Sequence, residues 1–456
     1  MRTTASTALL TDMYELTMIE GAVRSGTAER HSVFEVFARR LPAGRRYGVV
    51  AGTARILDAV EAFRFGPAEI DYLAAAGVVS EETLDRLAGY RFGGDITGYA
   101  EGEVFFPGSP VLTVEGTFAD AVVLETVILS ILNHDCAVAA AASRMTVAAH
   151  GRPCLEMGAR RTHEAAAVAA ARAAVVGGFA GTSVLEAGRS YGIRTIGTAA
   201  HSFTLLHDDE EAAFAAQVAA LGPGTTLLVD TYDVPRGVER AVAAARAGGG
   251  ELGAVRLDSG DLVAQAFTVR EQLDALGATS TRITVTSDLD EHAIAALGAA
   301  PVDSYGVGTK LVTGSGHPTA ELVYKIVARE DADGRMEEVA KASASKSSMG
   351  GHKVAGRVLD EAGRAVEELV VATSDVARAR TEIERAGARA LQVPLVVGGE
   401  IVEEHRGPGA LEAAAQRHLD SRAELPYQAW RLSEGEPAIP TRHVDLDPRD
   451  DERRAR

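Results

Sequence analysis

The sequence predicts an α/β protein: a distorted or incomplete (β/α) barrel plus an α+β lobe formed from the N- and C-terminal segments. Three observations carry that expectation. From Pro153 onward, short apolar strands alternate with alanine-rich helices at roughly 25–30 residues per unit, the repeat of right-handed βαβ steps. The stretches before and after that series lack the alternation, and neither alone has a barrel pattern. With 456 residues, 46% of them hydrophobic, the chain can bury a large core in two lobes. The boundaries read from these shifts are 1–120 with 340–440 for the lobe, 121–339 for the barrel, and 441–456 for a mobile charged tail.

In chain order, TDMYELTMIEGAVRSG reads as a helix capped by Thr11 or Asp12 and stopped by Gly26. HSVFEVFARRLPAG is strand-like and ends at a Pro/Gly turn, and Gly52 leads into a helix over TARILDAVEAF. GGDITGYAEGEVFFPGSPVLTVEGTF reads as antiparallel strands, with turns at Glu101-Gly102 and Pro107-Gly108. The helix that follows, ADAVVLETVILSILNHDCAVAAAASRMTVAAHG, is apolar all round in places and therefore buried. Seven strand starts then succeed one another: CLEMGAR, FAGTS, RTIGTAAHS, TTLLVDTYD, GAVRLDSGD, RITVTSDLD and DSYGVGTKL. After ELVYKIVARE the alternation stops, and KASASKSSMGGHKVAGRV reads as a hairpin region with a basic strip.

The net charge of −18 argues against nonspecific nucleic-acid binding, which needs a broad excess of Lys and Arg. Small anionic substrates remain open, because a few arginines and backbone amides can hold them. Cys136 and Cys154 have no metal-like spacing, which fits a reducing compartment. No long apolar run marks a membrane span, so the expected setting is cytoplasmic.

Polar and charged residues follow every strand of the series, at the end where barrels and open α/β sheets keep their chemistry. They are Glu156, Arg160 and Arg161; Gly181, Thr182 and Ser183; His201 and Ser202; Asp230, Thr231, Tyr232 and Asp233. Arg256, Asp258, Ser259, Gly260 and Asp261 come next, then Asp288 and Asp290, then Gly306, Gly308, Thr309 and Lys310. Turns after strands are polar in any case, so the set counts for more than any member. In YGVGTKLVTG, backbone amides around Gly306 and Gly308 with the Thr309 hydroxyl can surround a phosphate; the competing reading is a tight strand-to-helix connection. Asp258, with Asp230, can hold a ribose diol or a Mg²⁺ ion bridging a pyrophosphate, or it can simply cap the next helix.

The motifs LLTDMYELTM, FEVFARRLPAGRRYGVVAG, LETVILSILN, EMGARR, GTAAHS, LLVDTYDV, VRLDSGDL, YGVGTKLVT and KASASKSSMGGHK, in that order, make the chain resemble the bacterial type of nicotinate phosphoribosyltransferase. GTAAHS, VDTYDV and VRLDSGD are the most specific of them. The resemblance implies a distorted α/β barrel against a lobe from both chain ends, and a homodimer with shared active sites. It implies the joining of nicotinate to phosphoribosyl pyrophosphate, giving nicotinate mononucleotide and pyrophosphate in NAD biosynthesis, with coupled ATP hydrolysis.

Carried onto this chain, His201 matches the histidine that ATP phosphorylates, and Arg256 the residue against the nicotinate ring. Asp230 and Asp258 match positions for ribose or Mg²⁺–pyrophosphate, with Ser259 and Gly260 of the same motif among the substrate contacts. Arg160, Gly306, Gly308 and Thr309 fall where phosphate or the ring carboxylate is held, and Tyr14 where a partner-subunit ring covers nicotinate. Related nicotinamide-using enzymes carry an aspartate where this chain has Ser183, so the acid substrate is favoured over the amide. The chain departs from the family at Met349-Gly350, more often Pro-Gly, beside Lys346 and Lys353, and in the alanine-rich THEAAAVAAARAAVVGG.

Two enzymatic rivals exist. A quinolinate phosphoribosyltransferase would share the phosphoribosyl site without ATP, and leaves the GTAAHS histidine unexplained. A barrel aldolase would form a Schiff base on Lys325 or Lys310. A nucleotide-binding regulator without catalysis is a third class.

Overall fold

The computed structural model describes residues 5–340, 349–407 and 409–447. The chain divides into two compact units, Met1–Ala137 with Thr319–Arg456, and Val138–Pro318. The fold is mixed α/β.

In the first unit, the helix Met13–Ser25 starts at a capping box in which Asp12 and Glu15 satisfy each other's backbone amides. It stops at Gly26, whose φ of 71° suits glycine. Gly52, Gly102 and Gly108 take positive φ at the three turns expected from the sequence. A seven-stranded sheet runs Met336–Glu338, Leu322–Glu330, His31–Ala38, Leu112–Thr117, Asp95–Tyr99, Gln392–Val397 and Glu400–Ile401. Its ladders are antiparallel, and Phe34 stacks on Tyr324 at 5.0 Å in the core beneath it. A four-stranded sheet runs Arg389–Ala390, His352–Leu359, Ala365–Thr373 and Thr441–Asp445.

Three expectations are corrected in this unit. ELVYKIVARE belongs to the antiparallel sheet, paired with His31–Ala38, and the unit boundary falls at 318/319 instead of 339/340. The lower boundary falls at 137/138 within the helix Glu125–Ala148, not at 120/121. Residues 441–445 are not tail but a parallel strand on Ala365–Thr373; Val444 and Leu446 pack onto a small core, and Asp447 accepts from Thr373 and Ser374. Residues 448–456 of the expected tail and Lys346 of the expected hairpin lie outside the described residues. The strand His352–Leu359 does form a hairpin, but forward with Ala365–Thr373. Phe118–Ala148 is long and apolar enough to cross a membrane, yet 67% of its most apolar window is buried inside the protein, as in a core helix.

The second unit holds a parallel five-stranded sheet ordered Cys154–Glu156, Ser304–Val307, Arg282–Ser287, Ala254–Leu257, Thr226–Leu228. Two isolated parallel bridges, Glu156 to Thr182 and Thr182 to Thr195, extend it on the Cys154–Glu156 side. The sheet is not closed: among the described residues no ladder joins Thr195 to Thr226–Leu228. FAGTS and RTIGT therefore supply bridges where full strands were expected. Gly181 packs so closely there that a Cβ would lie 2.8 Å from the Arg194 carbonyl oxygen. The helices between strands are as the alternation predicts, including Glu164–Val176, Val234–Ala247 and Leu262–Ala275.

Candidate active site

The C-terminal ends of the parallel strands carry two acids per loop in three successive loops, and the structure separates their jobs. Asp233, Asp261 and Asp290 accept the first amides of the helices that follow, as N-caps. Asp230 and Asp258 cap nothing, which removes the capping alternative for Asp258. They stand at the ends of neighbouring strands and are joined through the Asp258 backbone amide instead. Asp230 Oδ2 accepts from the Asp258 amide at 2.9 Å and from the Ser259 hydroxyl at 2.9 Å. Asp258 Oδ1 in turn accepts from the Thr286 hydroxyl. Asp230 Oδ1 is buried with no partner among the described residues. Gly260, at φ 83°, makes the turn that returns the chain from Ser259 to the Asp261 cap.

Arg256 is next to last in the strand Ala254–Leu257 and reaches the third loop, donating to Thr198 Oγ1 at 2.7 Å and to the Ala199 carbonyl at 3.1 Å. Its Nε is buried and has no partner among the described residues. Burial pulls the guanidinium below its ordinary value; the carboxylates of Asp258 and Asp230 oppose that, and Arg160 adds to it. His201 opens the short helix His201–Leu206, and its Nδ1 lies 3.1 Å from Thr231 Oγ1. A chain of contacts thus joins the third, fourth, fifth and sixth strand ends: Arg256 to Thr198 and Ala199, His201 to Thr231, Asp230 to Asp258 and Ser259, Asp258 to Thr286.

The first two loops are joined separately. Glu156, fully buried, accepts from the Thr182 hydroxyl and the Gly158 amide. Arg160 stands exposed in the turn Ala159–Arg161, and Ser183 is exposed with its amide donating to the Glu156 carbonyl at 2.9 Å. At the seventh strand the two glycines differ in role. Gly306 lies inside the strand Ser304–Val307, where a Cβ would come within 2.5 Å of Thr286 Cγ2 and 2.7 Å of Met157 Sδ, so close packing accounts for it. Gly308 and Thr309 open the short helix Thr309–Val312, with exposed Lys310 next.

Tyr14 belongs to the first unit, on the helix Met13–Ser25, 44% exposed. Burial of its hydroxyl and the nearby Glu125 raise its pKa well above the usual tyrosine value. Glu125 also pairs with Lys325 at 3.6 Å. Lys325 therefore sits on an antiparallel strand of the first unit, ion-paired to a carboxylate, and not on a barrel strand as the aldolase reading requires. Lys353, left without a role by the sequence, is buried and paired with Glu35 at 3.0 Å. Thr198 and Thr286 were not singled out from the sequence; no spacing or composition signal distinguishes them from other strand-end threonines.

Among the described residues, no group of three or more His, Cys, Asp or Glu side chains is arranged to hold a metal. Two carboxylates such as Asp230 and Asp258 still suit Mg²⁺ that arrives with phosphate oxygens, because this ion keeps most of its ligands as water and phosphate.

Comparison with known proteins places the chain in a family. The model of the nicotinate phosphoribosyltransferase (NAPRTase) N-terminal domain matches residues 9–133. The nicotinate phosphoribosyltransferase pncB1 of Mycobacterium tuberculosis is 55% identical over 444 residues, 96% of this chain and 95% of that protein. The Bacillus subtilis nicotinate phosphoribosyltransferase is 36% identical over 378 residues, 81% of this chain and 77% of its own. The crystal structure of human nicotinic acid phosphoribosyltransferase has the same fold, with a TM-score of 0.79 at 24% identity over 96% of this chain and 97% of that one. The chain belongs to the nicotinate phosphoribosyltransferase family.

Proposed function

We propose that this protein is an ATP-coupled nicotinate phosphoribosyltransferase of NAD biosynthesis. The nicotinate ring nitrogen forms a bond to C1′ of phosphoribosyl pyrophosphate as the bond from C1′ to pyrophosphate oxygen breaks. Such a transfer passes through an oxocarbenium-like state and needs the leaving group neutralised and positioned, with no protein nucleophile at carbon. The observation that carries this reading is the pair of buried, unpartnered atoms on adjacent strand ends, Asp230 Oδ1 and Arg256 Nε. Buried polar groups of native proteins are normally satisfied, so a ligand with both donors and anionic oxygens is the natural complement. Asp230 and Asp258 serve the ribose hydroxyls or Mg²⁺ carried on the pyrophosphate, where the ion supplies charge neutralisation. Arg256 lies against the nicotinate, and Arg160, Gly308 and Thr309 offer guanidinium, amide and hydroxyl donors to phosphate or carboxylate. Gly306 contributes by letting the strands approach.

His201 is the phosphoryl acceptor in this reading, its ring oriented by Thr231. Incubation with ATP is expected to place acid-labile phosphate on His201. His201→Ala is expected to lose that label and the stimulation of synthesis by ATP; full ATP-coupled synthesis by the variant would remove His201 from the mechanism. A quinolinate-type enzyme has no use for this histidine, and Lys325 does not suit an aldolase.

Ser183 keeps an acid away from the substrate carboxylate. Ser183→Asp should lower the ratio of nicotinate to nicotinamide turnover about tenfold, the scale of one unfavourable charge in a partly buried site. An unchanged ratio would remove Ser183 from the specificity argument.

The open parallel sheet with its two bridges reads as an incomplete (β/α) barrel, and the unit built from both chain ends as an α+β lobe. A homodimer with shared sites is supported by the apolar exposed stripe Leu9, Leu10, Met13, Tyr14 and Met18, which would carry Tyr14 to the partner's nicotinate. Free, buried Cys136 and Cys154 fit a cytoplasmic setting.

A further inference from the structure

Glu156 is a strand-end acid that neither caps a helix nor bonds to the Asp230–Asp258 pair, and unlike exposed Asp288 it is buried. It is fully buried, at the end of the strand Cys154–Glu156. One carboxylate oxygen accepts from the Gly158 amide and the other from the Thr182 hydroxyl. The Thr182 hydroxyl also accepts from the Val184 amide at 3.0 Å, so a single carboxylate governs the course of both the 158–161 and the 182–184 segments. Gly158 in turn lies against the seventh loop: a Cβ there would sit 2.9 Å from the Gly308 carbonyl oxygen. The backbone on either side is fixed as well, Met157 donating to Val307 and Ser183 to Glu156.

A buried carboxylate is an expensive way to tie loops together. Burial raises the Glu156 carboxyl above its ordinary value, and the opposing influences are hydrogen bonds from Thr182, Gly158 and Ser183, with no cation among them. Apolar packing could hold a strand end at less cost. What a carboxylate provides is two acceptors at a fixed separation, one for each loop, and therefore the spacing between what the loops carry. The first loop carries Arg160 and the second Ser183.

We propose that Glu156 is a positioning residue for recognition of the substrate ring and its carboxylate, setting the distance between Arg160 and Ser183 through Gly158 and Thr182 without touching the reacting atoms. This rests on the reading of the site as a nicotinate phosphoribosyltransferase.

The test is steady-state kinetics of Glu156→Gln and Thr182→Val with nicotinate varied at saturating phosphoribosyl pyrophosphate and ATP. In Glu156→Gln the amide oxygen can still accept from Gly158, while its NH₂ replaces the acceptor that faced Thr182. Thr182→Val keeps shape and loses the hydroxyl, so it guards against a Glu156 variant that fails to fold. Each is expected to raise KM for nicotinate about tenfold with kcat within about twofold, the scale of a small misplacement of a binding group. The double variant should be no worse than the more affected single one, because both remove one shared contact. Unchanged KM in folded Thr182→Val, strict multiplication of the two effects, or a loss confined to kcat would each overturn the positioning role. The wild-type enzyme separates the two readings: no turnover with nicotinate refutes the function, whereas normal wild-type turnover with indifferent variants refutes only the role of Glu156.

Discussion

Asp230→Asn is expected to lower kcat for phosphoribosyl transfer about a hundredfold to a thousandfold, the range found for removal of one preorganised electrostatic group. The substitution suits the question because the asparagine carbonyl can accept the same two hydrogen bonds, from the Asp258 amide and the Ser259 hydroxyl. The loop geometry is thereby retained while the charge at the unpartnered Oδ1 is lost. Thermal stability should stay within about 1 kcal/mol of wild type, as for substitutions that keep hydrogen bonds and create no cavity. Rapid-quench measurement of the chemical step, with a thermal melt in parallel, checks both halves. Activity within a fewfold of wild type would show that this carboxylate does not serve the transferred group.

Lys353→Met should destabilise the first unit by about 3–5 kcal/mol, because it leaves Glu35 buried without its cation. Both side chains are almost completely enclosed, 3% and 2% exposed, and the ammonium also donates to the Gly351 carbonyl at 3.2 Å. Burial raises the Glu35 carboxyl above its usual value, with Lys353 opposing the shift. A carboxyl raised in the folded state binds more protons there than in the unfolded chain. Its contribution to stability is complete below the unfolded value and declines as pH rises through the folded one. Without Lys353 that rise is larger, so the deficit of the variant should be greatest near neutral pH and shrink as the solution is made acidic. Urea denaturation at pH 7 and pH 5 measures this. Glu35→Leu combined with Lys353→Met should recover most of the loss, since removing both charges leaves no uncompensated ion. A pH-independent deficit would assign the effect to lost packing instead.

Much of the site was legible in the sequence because βα loops obey simple rules. Strand ends collect polar residues, and Asp230, Arg256, Asp258 and His201 each follow a recognisable apolar run. The division of labour between Asp258 and Asp261 was not legible. Both precede the same helix, and only the observed hydrogen bonds of Asp261 to Ala264 and of Thr286 to Asp258 tell cap from site. Gly306 looked like part of a phosphate cradle, yet its side-chain space is filled by Thr286 and Met157, a long-range contact no local pattern encodes. ELVYKIVARE illustrates the same limit at the level of fold. Its apolar run suits a barrel strand or an antiparallel one, and pairing with His31–Ala38, some 290 residues away, decided between them. The second and third strands of the series are single bridges at Thr182 and Thr195, beside the close backbone approach that Gly181 permits, and neither feature is encoded in the apolar pattern.

The most direct test of the central claim is product formation from nicotinate, nicotinamide and quinolinate, each with phosphoribosyl pyrophosphate and Mg²⁺, with and without ATP. The predicted result is nicotinate mononucleotide from nicotinate, accelerated by ATP with ATP consumed, and far less product from the other two. ATP-independent release of carbon dioxide from quinolinate, or no ribosylated product from nicotinate under any condition, would contradict the account.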